Sequence, residues 1–446
     1  MNTSTLAPPA ATPHSGVLAS LALATLLPSL AVSSANVALP TLTATFGARL
    51  ADTQWVVLAY LLAVTTCIVG AGRLGDLLGR RRLLLAGIAV FSAASGLCAV
   101  APTLAWLVAA RALQGAAAAA MLALAMASVA AALPRAQAGT AMGLLGTMSA
   151  VGTALGPSLG GVLIATAGWP ALFVVNLPLG LLAGVMAWRW LPVDGKPADN
   201  AGRAETFDVA GMFWLAITLG AYALAVTRHP GLLAAAALGL WLFLRSQARA
   251  AAPLVPLKRL REPALSRGLA MNALVSAVMM ATLVIGPFHL SGTLGLGAAA
   301  TGAWMSAGPA ASALSGLPAG RLVDRFGARR MAVFGLIAMA LGCGLIVVLP
   351  LALGALAYVG PLLLVTPGYA LFQAANNTAV MVDVAAGERG VVSGLLTLSR
   401  NLGLVTGASA MAAVYAASGL RWSFVVATAL VAMAITLARH VGLSPR

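Results

Sequence analysis

The string GRLGDLLGRRR at 72–82 returns as GRLVDRFGARR at 320–330, with Gly, Arg, Leu, Asp, Gly and the closing arginine pair in the same register, 248 residues on. Each copy lies between two long apolar runs. A charged Gly/Asp/Arg hairpin duplicated in that setting is the mark of two parallel repeats in a bilayer. Composition agrees: 61% of residues are hydrophobic, 8% are charged and the mean hydropathy is +0.98. No single soluble core can absorb so much apolar surface.

Apolar stretches of about 20 residues predict helices near 16–39, 52–71, 83–101, 104–131, 137–165, 169–190, 208–227, 231–245, 265–290, 298–319, 331–350, 353–381, 390–417 and 420–438, fourteen spans in all. With the N-terminus in the cytoplasm, the basic clusters at 80–82, 258–267 and 329–330 fall inside, whereas only Arg49, Arg228 and Arg421 fall outside. The net charge of +16 therefore orients the chain in the membrane, and no nucleic-acid partner is expected. Both termini are expected on the cytoplasmic side of a bacterial inner membrane, with residues 1–15 as a disordered tail lacking the basic segment of a signal peptide. Cys67, Cys98 and Cys343 all lie within spans, which argues against a disulfide framework. His14, His229, His289 and His440 are scattered without metal-ligand spacing, so neither a metal nor an enzyme site is expected.

Polar interruptions at 193–208 and 245–263 bracket two extra helices. The first duplicated turn begins 57 residues after residue 15, and the second begins 57 residues after Pro263. The chain thus divides into a tail (1–15), an N-terminal six-helix bundle (16–192), a linker with two helices (193–262) and a C-terminal six-helix bundle (263–446). Nothing outside the spans is long enough for a soluble catalytic domain.

Three elements carry further information. In the turn, Gly72, Gly75 and Gly79 allow tight backbone geometry, and Asp76 can face a helix N-terminus or the arginines beside it. Arg111 falls mid-span, where a lone arginine costs about 2.5 kcal/mol or more against lipid, so it is expected to face inward, with Gln114 and Gly115 one turn on. In the fifth span Gly152, Gly156 and Gly160 recur every four residues beside Pro157 and Gly161, a smooth groove for close helix packing.

In this order the three elements resemble the signature motifs of the major facilitator superfamily, and of its antiporters in particular. Gly72, Arg73, Asp76, Gly79 and Arg80 match the helix 2–3 motif; Arg111, Gln114 and Gly115 match the helix 4 motif; Gly152, Gly156, Pro157, Gly160 and Gly161 match the antiporter motif of helix 5. ANVALP at 35–40, TQWVVLAY at 53–60, GWPALFVVNLPLG at 168–180 and FDVAG at 207–211 resemble the fourteen-helix drug:proton antiporter branch. The resemblance implies an all-α polytopic fold, two six-helix bundles plus a two-helix insert, that exports a small molecule by alternating access. It implies a proton gradient and no cofactor, a lipid bilayer and a small-molecule substrate as partners, and no obligatory protein partner. The two turns, through Gly72, Arg73, Asp76, Gly79 and Arg80 and through Gly320, Arg321, Asp324 and Gly327, would form the conformational switch, with Asp76 and Asp324 as charge partners.

One departure bears on mechanism. That branch usually carries an aspartate five residues before the asparagine of NVALP, and here the position is Ala31. All ten acidic residues fall in loops or at span ends, whereas a buried carboxylate is the usual device for carrying a proton and attracting a cation. Arg111 and Arg400 lie within spans, so a neutral-to-positive cavity and a neutral or anionic amphiphilic substrate are expected. Coupling is then expected from Arg111 and Gln114 with an edge group, Asp52 first and Asp76 second; His289 can also titrate in a useful range. Candidate cavity residues are Asn36, Gln54, Trp55, Tyr60, Gln373, Asn376, Asn377 and Arg400, each able to line a cavity or to tie two helices. The adjacent Asn376 and Asn377 are the preferred substrate-facing patch, because three amides in five residues are costly against lipid. The competing reading is a transport-silent sensor or accessory subunit that keeps the same fold.

Overall fold

A computed structural model of the chain describes residues 14–132, 135–193, 208–227, 229–250, 259–381, 384 and 389–440. Residues 1–13 of the tail expected at 1–15 and most of both polar linker stretches, 194–207 and 251–258, lie outside the described residues, while His14 and Ser15 already belong to the first helix. The helices are α1 (His14–Phe46), α2 (Leu50–Thr53), α3 (Trp55–Leu78), α4 (Arg80–Ala99), α5 (Leu104–Ala132), α6 (Arg135–Ala167), α7 (Ala171–Val174), α8 (Asn176–Trp190), α9 (Val209–Thr227), α10 (Leu233–Arg249), α11 (Pro263–Phe288), α12 (Ala298–Phe326), α13 (Ala328–Val348), α14 (Ala355–Met381), α15 (Arg389–Thr406) and α16 (Ala412–His440). Prolines stand inside α1, α6, α11, α12 and α14, as membrane helices tolerate when neighbours satisfy the freed backbone groups.

Among the described residues, eleven segments are long and apolar enough to cross a membrane, against the fourteen expected. Helix α10, at 17 residues, falls just below that length, and α12 is long enough but its charge-free part is rich in Gly, Ser, Pro and Ala and is only weakly apolar. The stretch Gly394–Arg439 counts once, although the chain breaks at Gly419 (φ 78°), where the sequence reading separates two spans.

The duplicated hairpins are shorter than expected. Helix α3 runs on to Leu78 and α12 to Phe326, so residues 72–78 and 320–326 are helical. Each reversal is made by a single glycine, Gly79 (φ 98°, ψ 129°) and Gly327 (φ 87°, ψ 142°), in a conformation that a side chain disfavours. The arginines that follow close other helices. Arg80 Nη1 donates to the Ala127 carbonyl late in α5 (3.0 Å), Arg81 donates to the Trp188 carbonyl in the last turn of α8, and Arg329 Nη2 donates to the Arg439 carbonyl near the end of α16 (3.4 Å). Cations at these carbonyl ends are favoured by charge and dipole alike.

Two cores correspond to the two halves. One gathers Leu27, Ala31, Tyr60, Phe91, Met121 and Ala183 from α1, α3, α4, α5 and α8; the other gathers Val278, Met305, Leu336, Tyr358, Phe372 and Phe424 from α11 to α14 and α16. A third core joins the halves, bringing Leu39 and Leu42 of α1 and Val57 of α3 against Met280 and Val284 of α11 and Val405 of α15. Glycines let the helices meet closely. A Cβ on Gly152 would lie 2.6 Å from the Leu26 carbonyl oxygen of α1, and one on Gly161 would lie 2.5 Å from the Ala298 carbonyl oxygen of α12.

The contact of Gly161 with α12 joins the last part of α6 to the first part of α12. Helix α6 starts where α5 ends, beside Arg80, and α12 ends at the second turn. Both duplicated turns therefore project from one end of the molecule, and the third core closes the opposite end, reinforced there by the Ser158–Ser306 hydroxyl pair.

Candidate functional site

A cavity of about 400 Å³ lies between the halves, midway along the helices. One wall, from α1 and α6, is rich in hydroxyls: Ser29 and Ser149 pair at 2.7 Å, and Ser33 Oγ donates to the Thr153 carbonyl at 2.6 Å. The facing wall, from α11, α12 and α14, presents Met279, Met280, Leu283, Met305 and Leu362. Arg400 and Asn401 of α15 and Tyr369 of α14 complete the lining. Asn36 enters from α1; its Nδ2 donates to the Val32 carbonyl at 3.2 Å, while its Oδ1 is buried with no hydrogen-bond partner.

Three of the eight expected cavity residues, Asn36, Tyr60 and Arg400, line this space. Gln54 is buried at the closed end, and Trp55 Nε1 donates to Thr227 Oγ1 of α9 (3.2 Å). Gln373 Nε2 donates to the Tyr369 hydroxyl (3.1 Å), and Asn376 Nδ2 donates to the Gly268 carbonyl (3.2 Å), tying α14 to α11. Asn377 is exposed and outside the lining. The residues missed are mainly hydroxyls, and a signal for them existed. Ser29, Ser33 and Asn36 are spaced four and three apart on one face of α1, and Ser149 and Thr153 are four apart on α6.

Arg111 stands behind the cavity wall. It is wholly buried, with Nε donating to the Val56 carbonyl (2.9 Å) and Nη1 to Gln114 Oε1 (2.6 Å), while Gln114 Nε2 donates to Ser95 Oγ (2.7 Å). Its guanidinium lies 4.2 Å from the centroid of Tyr60, whose hydroxyl donates to the Pro28 carbonyl (3.1 Å). Arg111 thus meets the cavity only through an aromatic ring. Among the described residues no carboxylate is buried, and Ala31 packs in the same core as Tyr60.

The remaining candidates sit at the two ends. Asp52 Oδ2 accepts from Arg49 Nε (3.0 Å) at the closed end, and His289 is buried there with its ring centroid 5.8 Å from that of Tyr358. Gly72 and Gly320 lie within helices at the turn end, where Arg321 and Asp324 are exposed; Asp324 has no hydrogen-bond or ion-pair partner among the described residues. The side chains of Arg73 and Asp76 lie outside what the structure describes. Gly156 sits against Ser33 and Ser34 of α1, Gly160 against Ser34 and Leu172, and the Pro157 carbonyl faces Gly302 across the halves.

A helical membrane protein whose two halves enclose a central cavity and close one end of it is built as a transporter. The chain belongs to the Major Facilitator Superfamily, whose family model matches residues 21–408 and 279–445. It is 31% identical over 391 residues to the uncharacterized transporter YebQ of Escherichia coli (strain K12), covering 85% of this chain and 84% of that protein. It is 32% identical over 393 residues to the multidrug resistance protein Stp of Mycobacterium tuberculosis, covering 86% and 72%. Among solved structures, a bacterial homolog of the human lysosomal transporter Spinster, inward-facing and occupied, superposes with a TM-score of 0.70 over 96% of both chains at 16% identity, a likeness of fold. These relatives are transporters and not enzymes.

Proposed function

We propose that the protein is a proton-coupled exporter of the fourteen-helix drug:proton antiporter branch. Its substrate is a small neutral or anionic amphiphile, carried out of the cytoplasm by alternating access across a bacterial inner membrane. The observation that carries this reading is the mid-membrane cavity, closed at one end and lined by an unpaired cation with no described carboxylate. Export is supported by relatives named as multidrug resistance and efflux proteins. Fourteen spans follow if α10 and α12 cross the membrane and the chain turns at Gly419.

With the turns cytoplasmic, the closed end is external and the conformation inward-facing. Asp76 and Asp324 would then latch the cytoplasmic side only in the outward-facing state, and the unpaired Asp324 seen here fits a released latch. The Asp52–Arg49 pair at the external closure is the first candidate for proton coupling, since protonating Asp52 removes the charge that holds it. The proton gradient is the energy source and no cofactor takes part.

The test is uptake into inverted vesicles. A neutral or acidic amphiphile is expected to accumulate with an imposed proton gradient and to leak back on adding an uncoupler, while Asp76→Asn inserts normally and loses transport. Strong gradient-driven uptake of ethidium would falsify the substrate class. A protein-dependent flux that ignores the uncoupler would remove the proton coupling, and uptake no greater than in vesicles lacking the protein would favour the transport-silent reading.

A further inference from the structure

Arg400 is the only charged side chain that lines the cavity among the described residues. It is exposed to that space and makes no hydrogen bond or ion pair with any described residue. Arg111, the other arginine expected in the middle of a span, is already bound to Val56 and Gln114 and covered by Tyr60. An incoming anion therefore has one guanidinium to meet. Beside it Asn401, 4% exposed, lines the same wall with its amide unpartnered, adding a neutral donor to the same spot.

The rest of the lining suits what an anion would be attached to. Met279, Met280 and Met305 form a polarizable wall that adjusts to varied apolar shapes. The facing serine and threonine hydroxyls are largely engaged with each other and with backbone carbonyls, so they offer contact without charge. A lone cation between low-dielectric walls draws negative groups into a cleft, and a guanidinium fork holds a carboxylate or sulfonate by two parallel bonds. The cavity volume falls within the range that holds a drug-sized molecule.

We propose that Arg400 anchors the negative group of an amphiphilic organic anion whose apolar body lies against the methionine wall. This rests on the transport reading and narrows its two substrate classes to the anionic one.

The experiment uses the full-length protein in lipid nanodiscs and three fluorescent probes on one aromatic body: dansylglycine (anionic), dansylamide (neutral) and dansylcadaverine (cationic). Wild type is expected to bind dansylglycine at least tenfold more tightly than dansylamide, with dansylcadaverine weakest. Arg400→Gln should lose at least tenfold in dansylglycine affinity and keep dansylamide within twofold, which also reports that the variant is folded. Arg400→Lys should recover part of the loss, and Arg400→Glu should favour dansylcadaverine. Failure of wild type to prefer the anion, or equal dansylglycine affinity in wild type and Arg400→Gln, overturns the proposal. Vesicle transport separates the two claims: transport that ignores Arg400 removes the anchor and keeps the transporter, whereas Arg400-dependent binding without transport does the reverse.

Discussion

Asn36 Oδ1 and Arg111 Nη2 are both buried without a hydrogen-bond partner, but only Asn36 belongs to the lining of a space that a substrate can enter. A buried acceptor left unpaired costs about 1–3 kcal/mol, so its retention points to use. Asn36→Leu is expected to raise the thermal unfolding midpoint of the ligand-free protein while lowering transport several-fold; a fall in both would make Asn36 a packing residue. Around Arg111 the reverse holds. Gln114→Leu would strip one acceptor from a buried cation, at a cost of about 3 kcal/mol, and should show as a lower unfolding midpoint or poor recovery of folded protein from the membrane. The Arg111–Gln114 pair was legible in the sequence because residues three apart on a helix are neighbours. Its contacts with Val56 and Tyr60 were not, since they depend on which face of α3 meets α5.

At the scale of helices, the duplicated string was legible as a pair of reversals but not in its extent. Residues 72–78 and 320–326 remain helical because an internal glycine weakens a helix without ending it, and the chain turns only where φ becomes positive. Gly327→Ala isolates that cause: nothing lies within 4 Å of the added Cβ, so the expected loss of about 1–3 kcal/mol in thermal unfolding is backbone strain alone. Unchanged stability would mean that the turn tolerates another conformation. The glycine series of α6 teaches the complementary point. Gly152, Gly156 and Gly160 face α1, but Gly161, one residue and about 100° further round the helix, faces α12 in the other half. Spacing identified the groove, while the two partners of its neighbouring faces came only from packing.

For the whole molecule, the closure opposite the duplicated turns rests on a small area where backbones nearly touch. A Cβ on Gly302 would meet the Pro157 carbonyl and Gly161 directly. Gly302→Val is therefore expected to keep membrane insertion, prop that end open and reduce transport at least tenfold; a cysteine at Ser33 should then react with a membrane-impermeant reagent added from the closed side, and continued protection would contradict the proposed closure. The sequence alone determined that the chain is a helical membrane protein of two related halves, because hydropathy, charge bias and an in-register repeat are properties of the chain taken along its length. Tertiary structure decided which polar side chains share the cavity. Amides such as Gln54, Asn376 and Asn377 look alike in a one-dimensional reading, and a helix turned by a single residue exchanges the side chain that meets its neighbour for the one that meets the substrate.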